Sequence, residues 1–315
     1  MTDNDLAKRD KRYHEGPLKR FLNGALVLIL KGISKLPFWF IYGISDVMYF
    51  FLKNVVKYRQ KVILENLSYA FPEKTEKEKQ LILNKFYRHF CDFALESVKL
   101  HSVSSAQMDK RLLVRGMDRV YEYALEGKSI ILLGFHYNNW EWCSSIQRNW
   151  QNERLVMIVN PMRGNQALDK FIAHSRERWG GLSIPVHKSA RTAIEAVRRK
   201  EPIALWLAAD QTPPANSLFW TPFLNREAPF FTGPDKIAMK TNQPVFFLHL
   251  KKLKRGHYEA NFHELFPEPN KTAPNEIMLR YIQKMEEIIR ETPEYYLWSH
   301  RRWKHKRPEG IELTL

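Results

Sequence analysis

The sequence predicts an α/β fold: a central, mostly parallel sheet with helices on both faces, preceded by apolar helices that anchor the chain to a membrane. Three observations carry that expectation. From residue 129 onward, short continuous apolar runs alternate with stretches of helical spacing. This is the pattern of parallel strands covered on both faces by crossover helices. Two strongly apolar runs lie near the start of the chain. Of the 315 residues, 44% are hydrophobic and 13% aromatic, enough for a substantial core.

Residues 1–20 are polar and charged, with Lys8, Arg9, Lys11, Arg12, Lys19 and Arg20 among them. The composition then shifts to "FLNGALVLIL" (21–30) and "LPFWFIYGISDVMYFFL" (36–52), with Lys31 and Lys35 between them and Asp46 interrupting the second. Neither run reaches the roughly 20 clean apolar residues of a spanning helix. The expectation is one tilted span, or two interfacial helices whose lysines reach the headgroups. A buried helix pair is the alternative. No small-residue cleavage site of a signal peptide follows the first run. This places a basic, membrane-anchoring segment at 1–56 and the main domain at 57–315.

Pro72 then breaks the chain, and Thr75 followed by Glu78 reads as a capping box. Ile82, Phe86, Phe90 and Phe93 recur at helical spacing. Strands are expected at 129–135, 154–159, 202–208 and 244–250. Helical segments are expected at 139–150, 165–178, 189–199 and 234–241, with a last helix at about 274–291 stopped by Pro293.

The formal charge of +16 favours an anionic partner: nucleic acid, a phospholipid surface, a phosphorylated substrate or an acidic carrier protein. The two cysteines, Cys91 and Cys143, form no CxxC pair and support neither a metal finger nor a disulfide scaffold. Reduced surroundings fit such usage.

The chemistry concentrates in "GFHYNNWEW" (134–142). His136 follows an apolar strand and precedes a helical segment, the edge where parallel sheets bind ligands. Gly134 permits close approach, and Asn138 or Asn139 can cap the next helix. Residues five apart lie about 140° around a helix, so Glu141 reaches His136 only if the loop turns back into the first helical turn. Its carboxylate would then fix the tautomer and stabilise the imidazolium. The competing reading leaves His136 capping a strand and Glu141 on a solvated face.

Elsewhere, Arg163 follows Pro161 in a loop and suits a phosphate. Asp210 and Gln211 end a strand at the sheet edge expected for His136, and a buried Asp needs a partner. Thr232 and Gly233 shape a turn before a helix and are candidates for substrate contact. Arg176 and Arg178 read equally as a solvated face or a phosphate site. The tail "YYLWSHRRWKHKRPE" mixes basic and aromatic residues, suiting nucleic acid or an anionic membrane. Its Trp298 and Trp303 read equally as core.

"GFHYNNWE" resembles the G-x-H-x-G-N-W-E block of the late acyltransferases of lipid A biosynthesis, within the H-x4-D/E glycerolipid acyltransferase superfamily. Five more blocks follow in matching order around it: "YRQKVILENLSYAFPEKTEKE", "NPMRGNQALDKFIAHSRERWG", "AADQTP", "FFTGPDKIAMKTNQPV" and "TPEYYLWSHRRWKHKRP". The resemblance spans roughly residues 20–307. Asn138 stands at the family's usual Gly, and "PFLNRE" (222–227) replaces a Phe-Phe-Gly-like turn.

The resemblance implies a glycerolipid-acyltransferase-like fold and a membrane-bound O-acyltransferase. His136 would be the general base and Glu141 its assistant, with Arg163, Asp210, Gln211, Asn139, Thr232 and Gly233 binding substrate. It implies no cofactor and no metal. The implied partners are acyl carrier protein (or an acyl coenzyme A) as donor, an anionic glycolipid or phospholipid as acceptor, and the membrane, without nucleic acid. The implied location is the cytoplasmic side of the bacterial inner membrane. A lysophospholipid or aminoacyl-lipid acceptor is the alternative for the same chemistry. Water as acceptor would make a hydrolase, and a non-catalytic basic module would be indifferent to His136→Ala.

Overall fold

The computed structural model describes residues 15–150, 153–162 and 164–315. The charged positions Lys8, Arg9, Lys11 and Arg12 lie outside the described residues. The chain begins with α1 (Pro17–Lys35) and α2 (Phe38–Phe51), then a π-helical turn and α3 (Gln60–Ala70). The long α4 (Glu76–Lys99) follows, opened by the expected capping box in which Thr75 Oγ1 and the Glu78 carboxylate exchange hydrogen bonds with each other's backbone N–H.

The expectation of membrane-anchoring helices is overturned: no helix among the described residues is long and apolar enough to cross a membrane. Helix α2 has 14 residues, about 21 Å against a hydrocarbon core of about 30 Å. Helix α1 is interrupted by Lys19, Arg20, Lys31 and Lys35. Both helices are instead tied to α4 through polar contacts. Ser45 donates to Asp92 at 2.7 Å, Tyr42 to Glu96 at 2.9 Å, and Lys99 to the carbonyls of Ser34 and Leu36 at 2.8 Å.

The rest alternates as expected. A short α5 (Ser105–Asp109) leads to β1 (Leu112–Arg115), α6 (Asp118–Leu125) and β2 (Ile130–Gly134). A 3-10 helix (Trp140–Asn149) precedes β3 (Arg154–Val159), α7 (Gln166–Glu177), β4 (Leu182–Pro185), α8 (Ser189–Arg199) and β5 (Ile203–Ala208). A hairpin of β6 (Trp220–Phe223) and β7 (Arg226–Pro229) comes before α9 (Gly233–Thr241), β8 (Val245–Lys254), β9 (His257–Phe266) and α10 (Glu276–Glu291).

Seven of the described strands form one sheet in the order β1-β9-β8-β2-β5-β3-β4, and β6 and β7 pair apart from it. Neighbours are parallel except β8 and β9, which form an antiparallel hairpin. Alternation along β2 and β5 divides the core. Ile131, Leu133, Leu205 and Leu207 face α10, while Ile130, Leu132, Ala204 and Trp206 face the side of Trp142. The strand β9 escapes a reading by apolar runs because polar residues alternate along it, as in "HYEANFHELF". The short β1 and β4 lie at the two edges.

The basic aromatic tail is partly interior. Trp298 and Trp303 are buried, and so is Arg302, which donates to the carbonyl of Pro229 at 2.7 Å and lies 4.1 Å from the ring centre of Phe230. The hairpin turn at Leu224 and Asn225 has φ of 50° and 64°. That backbone explains why a Gly-like turn can be replaced here by a sequence containing Asn.

Candidate active site

Strand register assembles the site. Gly134 pairs with Ala208 at the C-terminal ends of β2 and β5. His136 and Asp210 each follow two residues later, so both emerge side by side from the same sheet edge. Tyr281 of α10 bridges the two strand ends: its hydroxyl donates to the Gly134 carbonyl at 2.7 Å and accepts from the Ala209 N–H at 3.3 Å.

The His136 ring Nδ1 lies 2.7 Å from Asp210 Oδ1, and the His136 backbone N–H donates to Oδ2 at 3.2 Å. An ionised carboxylate only accepts, so Nδ1 carries a proton, and in the neutral ring Nε2 keeps its lone pair. Gln211 Nε2 lies 3.3 Å from that lone pair. Burial pushes the imidazole toward neutrality, but the Asp210 charge and hydrogen bond outweigh it and raise the pKa above the ordinary histidine value. Burial likewise raises Asp210, and His136 outweighs it, holding the carboxyl below its usual range.

Glu141 does not make the contact expected of it. Its carboxylate accepts both Arg176 Nε at 2.8 Å and Nη2 at 2.6 Å, a bidentate pair. Burial would raise Glu141, but Arg176 keeps it ionised. The negative charge still favours protonated His136. The carboxylate bonded to His136 is therefore Asp210, which sequence reasoning had placed among the substrate contacts. Arg176, which the sequence leaves open between a solvated face and a phosphate site, carries one signal: it lies in the matching block "NPMRGNQALDKFIAHSRERWG".

The loop carrying the histidine is fixed from behind. The Asn138 N–H donates to the Tyr295 carbonyl at 3.0 Å, and Leu297 N–H to the His136 carbonyl at 3.2 Å. Asn138 has φ of 53°, a left-handed conformation in which Asn is the usual substitute for Gly, and its amide donates to the Leu250 carbonyl at 2.7 Å. Asn139 caps the 3-10 helix by accepting from Trp142 N–H at 3.3 Å and donates to buried Glu96 at 2.7 Å. Those contacts turn its side chain into the protein, away from the cavity that His136 borders.

That cavity measures about 410 Å³. Ile158, Val186, Leu207, Phe231 and Ile237 supply apolar wall, while His136, Arg176, Gln211 and Gly233 also border it. Thr232 sits at the N-terminal boundary of α9 without a side-chain capping bond. Arg163 lies outside the described residues. Gly134 admits the Trp206 indole, whose Cε2 would stand 3.2 Å from an added Cβ.

A mostly parallel sheet that ends in a buried acid paired with a partly exposed histidine, beside a cavity with an apolar wall, has the build of an enzyme for an apolar substrate. Comparison with known proteins gives the family: a family model described as bacterial lipid A biosynthesis acyltransferase matches residues 10–305, and the chain belongs to that family of acyltransferases. The lipid A biosynthesis lauroyltransferase of Escherichia coli (strain K12) is 23% identical over 289 residues, covering 89% of this chain and 90% of the relative. The lipid A biosynthesis palmitoleoyltransferase of the same organism is 22% identical over 259 residues, covering 81% of each. A lipid A biosynthesis acyltransferase of Haemophilus influenzae is 24% identical over 240 residues, 74% of this chain and 72% of the relative.

Proposed function

We propose that this acyltransferase moves a fatty acyl chain from acyl carrier protein to a hydroxyl of a lipid A precursor, at the cytoplasmic side of the bacterial inner membrane. The observation that carries the mechanism is the Asp210–His136 bond of 2.7 Å, which leaves Nε2 free to accept a proton. The acceptor hydroxyl displaces the Gln211 amide from Nε2. As its oxygen attacks the thioester carbonyl, its proton passes to Nε2, and Asp210 stabilises the imidazolium. Collapse of the tetrahedral intermediate breaks the C–S bond, and the departing thiolate takes the proton from Nε2. The apolar wall of the cavity accommodates the acyl chain. The ion pair of Glu141 and Arg176 borders the reacting end and keeps a fixed charge arrangement there. An acidic carrier protein suits a chain with formal charge +16.

The test incubates purified protein with labelled acyl carrier protein thioester, or the coenzyme A thioester, and either a lipid A precursor or a lysophospholipid. Acylation of the lipid A precursor, abolished by His136→Ala, is the expected result. Transfer only to the lysophospholipid refutes the acceptor, and equal transfer by both proteins refutes the base.

A further inference from the structure

Behind the catalytic loop lies a second cavity of about 320 Å³, which shares no lining residue with the first. It opens between α4 and the end of the β8–β9 hairpin, and Tyr295, whose carbonyl holds Asn138, forms part of its wall. Its cations are Lys85, Arg88, Lys252, Lys254 and Arg255, and its carboxylates are Asp92 and Glu294. Asp46 stands just outside and takes Arg88 at 3.2 Å and Arg255 at 2.7 Å. Arg255 also takes Asp92 at 2.7 Å, and Lys85 takes Glu294 at 3.3 Å.

These pairings engage all three carboxylates, and the two cations left with no carboxylate closer than 3.9 Å are Lys252 and Lys254. Lys252 is the inner one. Its side chain is only 11% exposed, yet its nearest carboxylate, on Asp92, is 3.9 Å away. Its ammonium lies 3.2 Å from Nδ1 of buried His89 and 5.3 Å from the ring centre of Tyr295. Asp92 is a long partner shared with Arg255, and burial lowers the Lys252 pKa although Glu96 and Asp92 oppose it. Lys254 stands exposed at the rim.

We propose that this cavity binds a phosphate monoester, with Lys252 contacting the phosphate from inside and Lys254 from the rim. The excess of cations along the lining suits a phosphate, and the volume leaves space for the organic group that a bare phosphate would not fill. The site does not depend on the acyltransferase mechanism proposed above.

Titration calorimetry with glycerol 3-phosphate at low ionic strength tests it on the full chain. Binding is expected in wild type and, undiminished, in His136→Ala. Lys252→Gln should weaken it at least tenfold, and Lys254→Gln, at an exposed position that does not threaten folding, about threefold. Phosphatidylcholine vesicles with and without phosphatidic acid identify the source of the monoester. Binding of the soluble ester with no preference for phosphatidic acid supports the site and assigns it a soluble ligand. Phosphatidic acid-dependent binding that glycerol 3-phosphate displaces supports it and assigns a lipid headgroup. No binding, or binding unchanged in both lysine variants, overturns the proposal.

Discussion

Asp210 Oδ1 sits 2.7 Å from Nδ1 of His136 across 74 residues of sequence, while Glu141, five residues from the histidine, gives both oxygens to Arg176. The two carboxylates therefore have different chemical consequences, and substitution separates them.

Asp210→Asn removes the charge that raises the His136 pKa. A general base acts unprotonated, so wild-type activity rises with pH through a value above that of an ordinary histidine. In the variant this rise moves to lower pH, and kcat/KM falls by about 10²–10⁴-fold. A pH–rate profile on both proteins checks the shift. A profile that keeps its acid limb in place would refute the role of Asp210.

Glu141→Gln strands the Arg176 guanidinium in a site where its side chain is only 22% exposed. The expected cost is about 3 kcal/mol of stability, at the low end for a buried pair that loses one partner. Arg176→Met combined with Glu141→Gln should recover at least about 1 kcal/mol relative to the sum of the single changes. Urea unfolding of the four proteins measures that coupling, and simple additivity would contradict it.

Asn138 combines positive φ with a buried amide bond to Leu250. Asn138→Gly loses the hydrogen bond but keeps the backbone relaxed, whereas Asn138→Ala loses the bond and adds strain. The alanine protein is expected to be about 1 kcal/mol less stable than the glycine one. Thermal unfolding ranks them.

Gly134→Ala forces a methyl group against the Trp206 indole. Overpacking of this kind costs about 1–3 kcal/mol. Trp206 also borders the catalytic cavity, so the loss of stability should be accompanied by a raised KM for the acyl donor. Denaturation curves and steady-state kinetics together read both effects.

Much of the fold was legible because both periodicities are strong. The run "SIILLG" names β2, and helix α8 lies at 189–199 as its spacing predicts. The location of His136 was legible from the strand-to-helix transition. Its bonded partner was not, because pairing with Asp210 depends on the register of β2 against β5, and register is a property of two distant strands together. H-x4-E instead points to the local acid. The N-terminal runs misled for a physical reason. Helices α1 and α2 carry exposed large apolar residues such as Phe21, Leu28, Trp39 and Phe50, but their inner faces are held by polar contacts that hydropathy does not register. Arg302 reads as part of a charged tail, and only the packed structure reveals it against Phe230.

The clasp of Tyr295 and Leu297 on the histidine loop gives biosynthesis a definite order. Translation adds roughly 5–20 residues per second, so His136 emerges from the ribosome many seconds before the strap that fixes it. Once Asp210 has followed, the nascent chain has the base and its acid without the backbone bonds that aim them. Catalytic competence therefore arises late in synthesis, after the last strand of the sheet has been made, because the strap at 295–297 and the core residues Trp298 and Trp303 come later still.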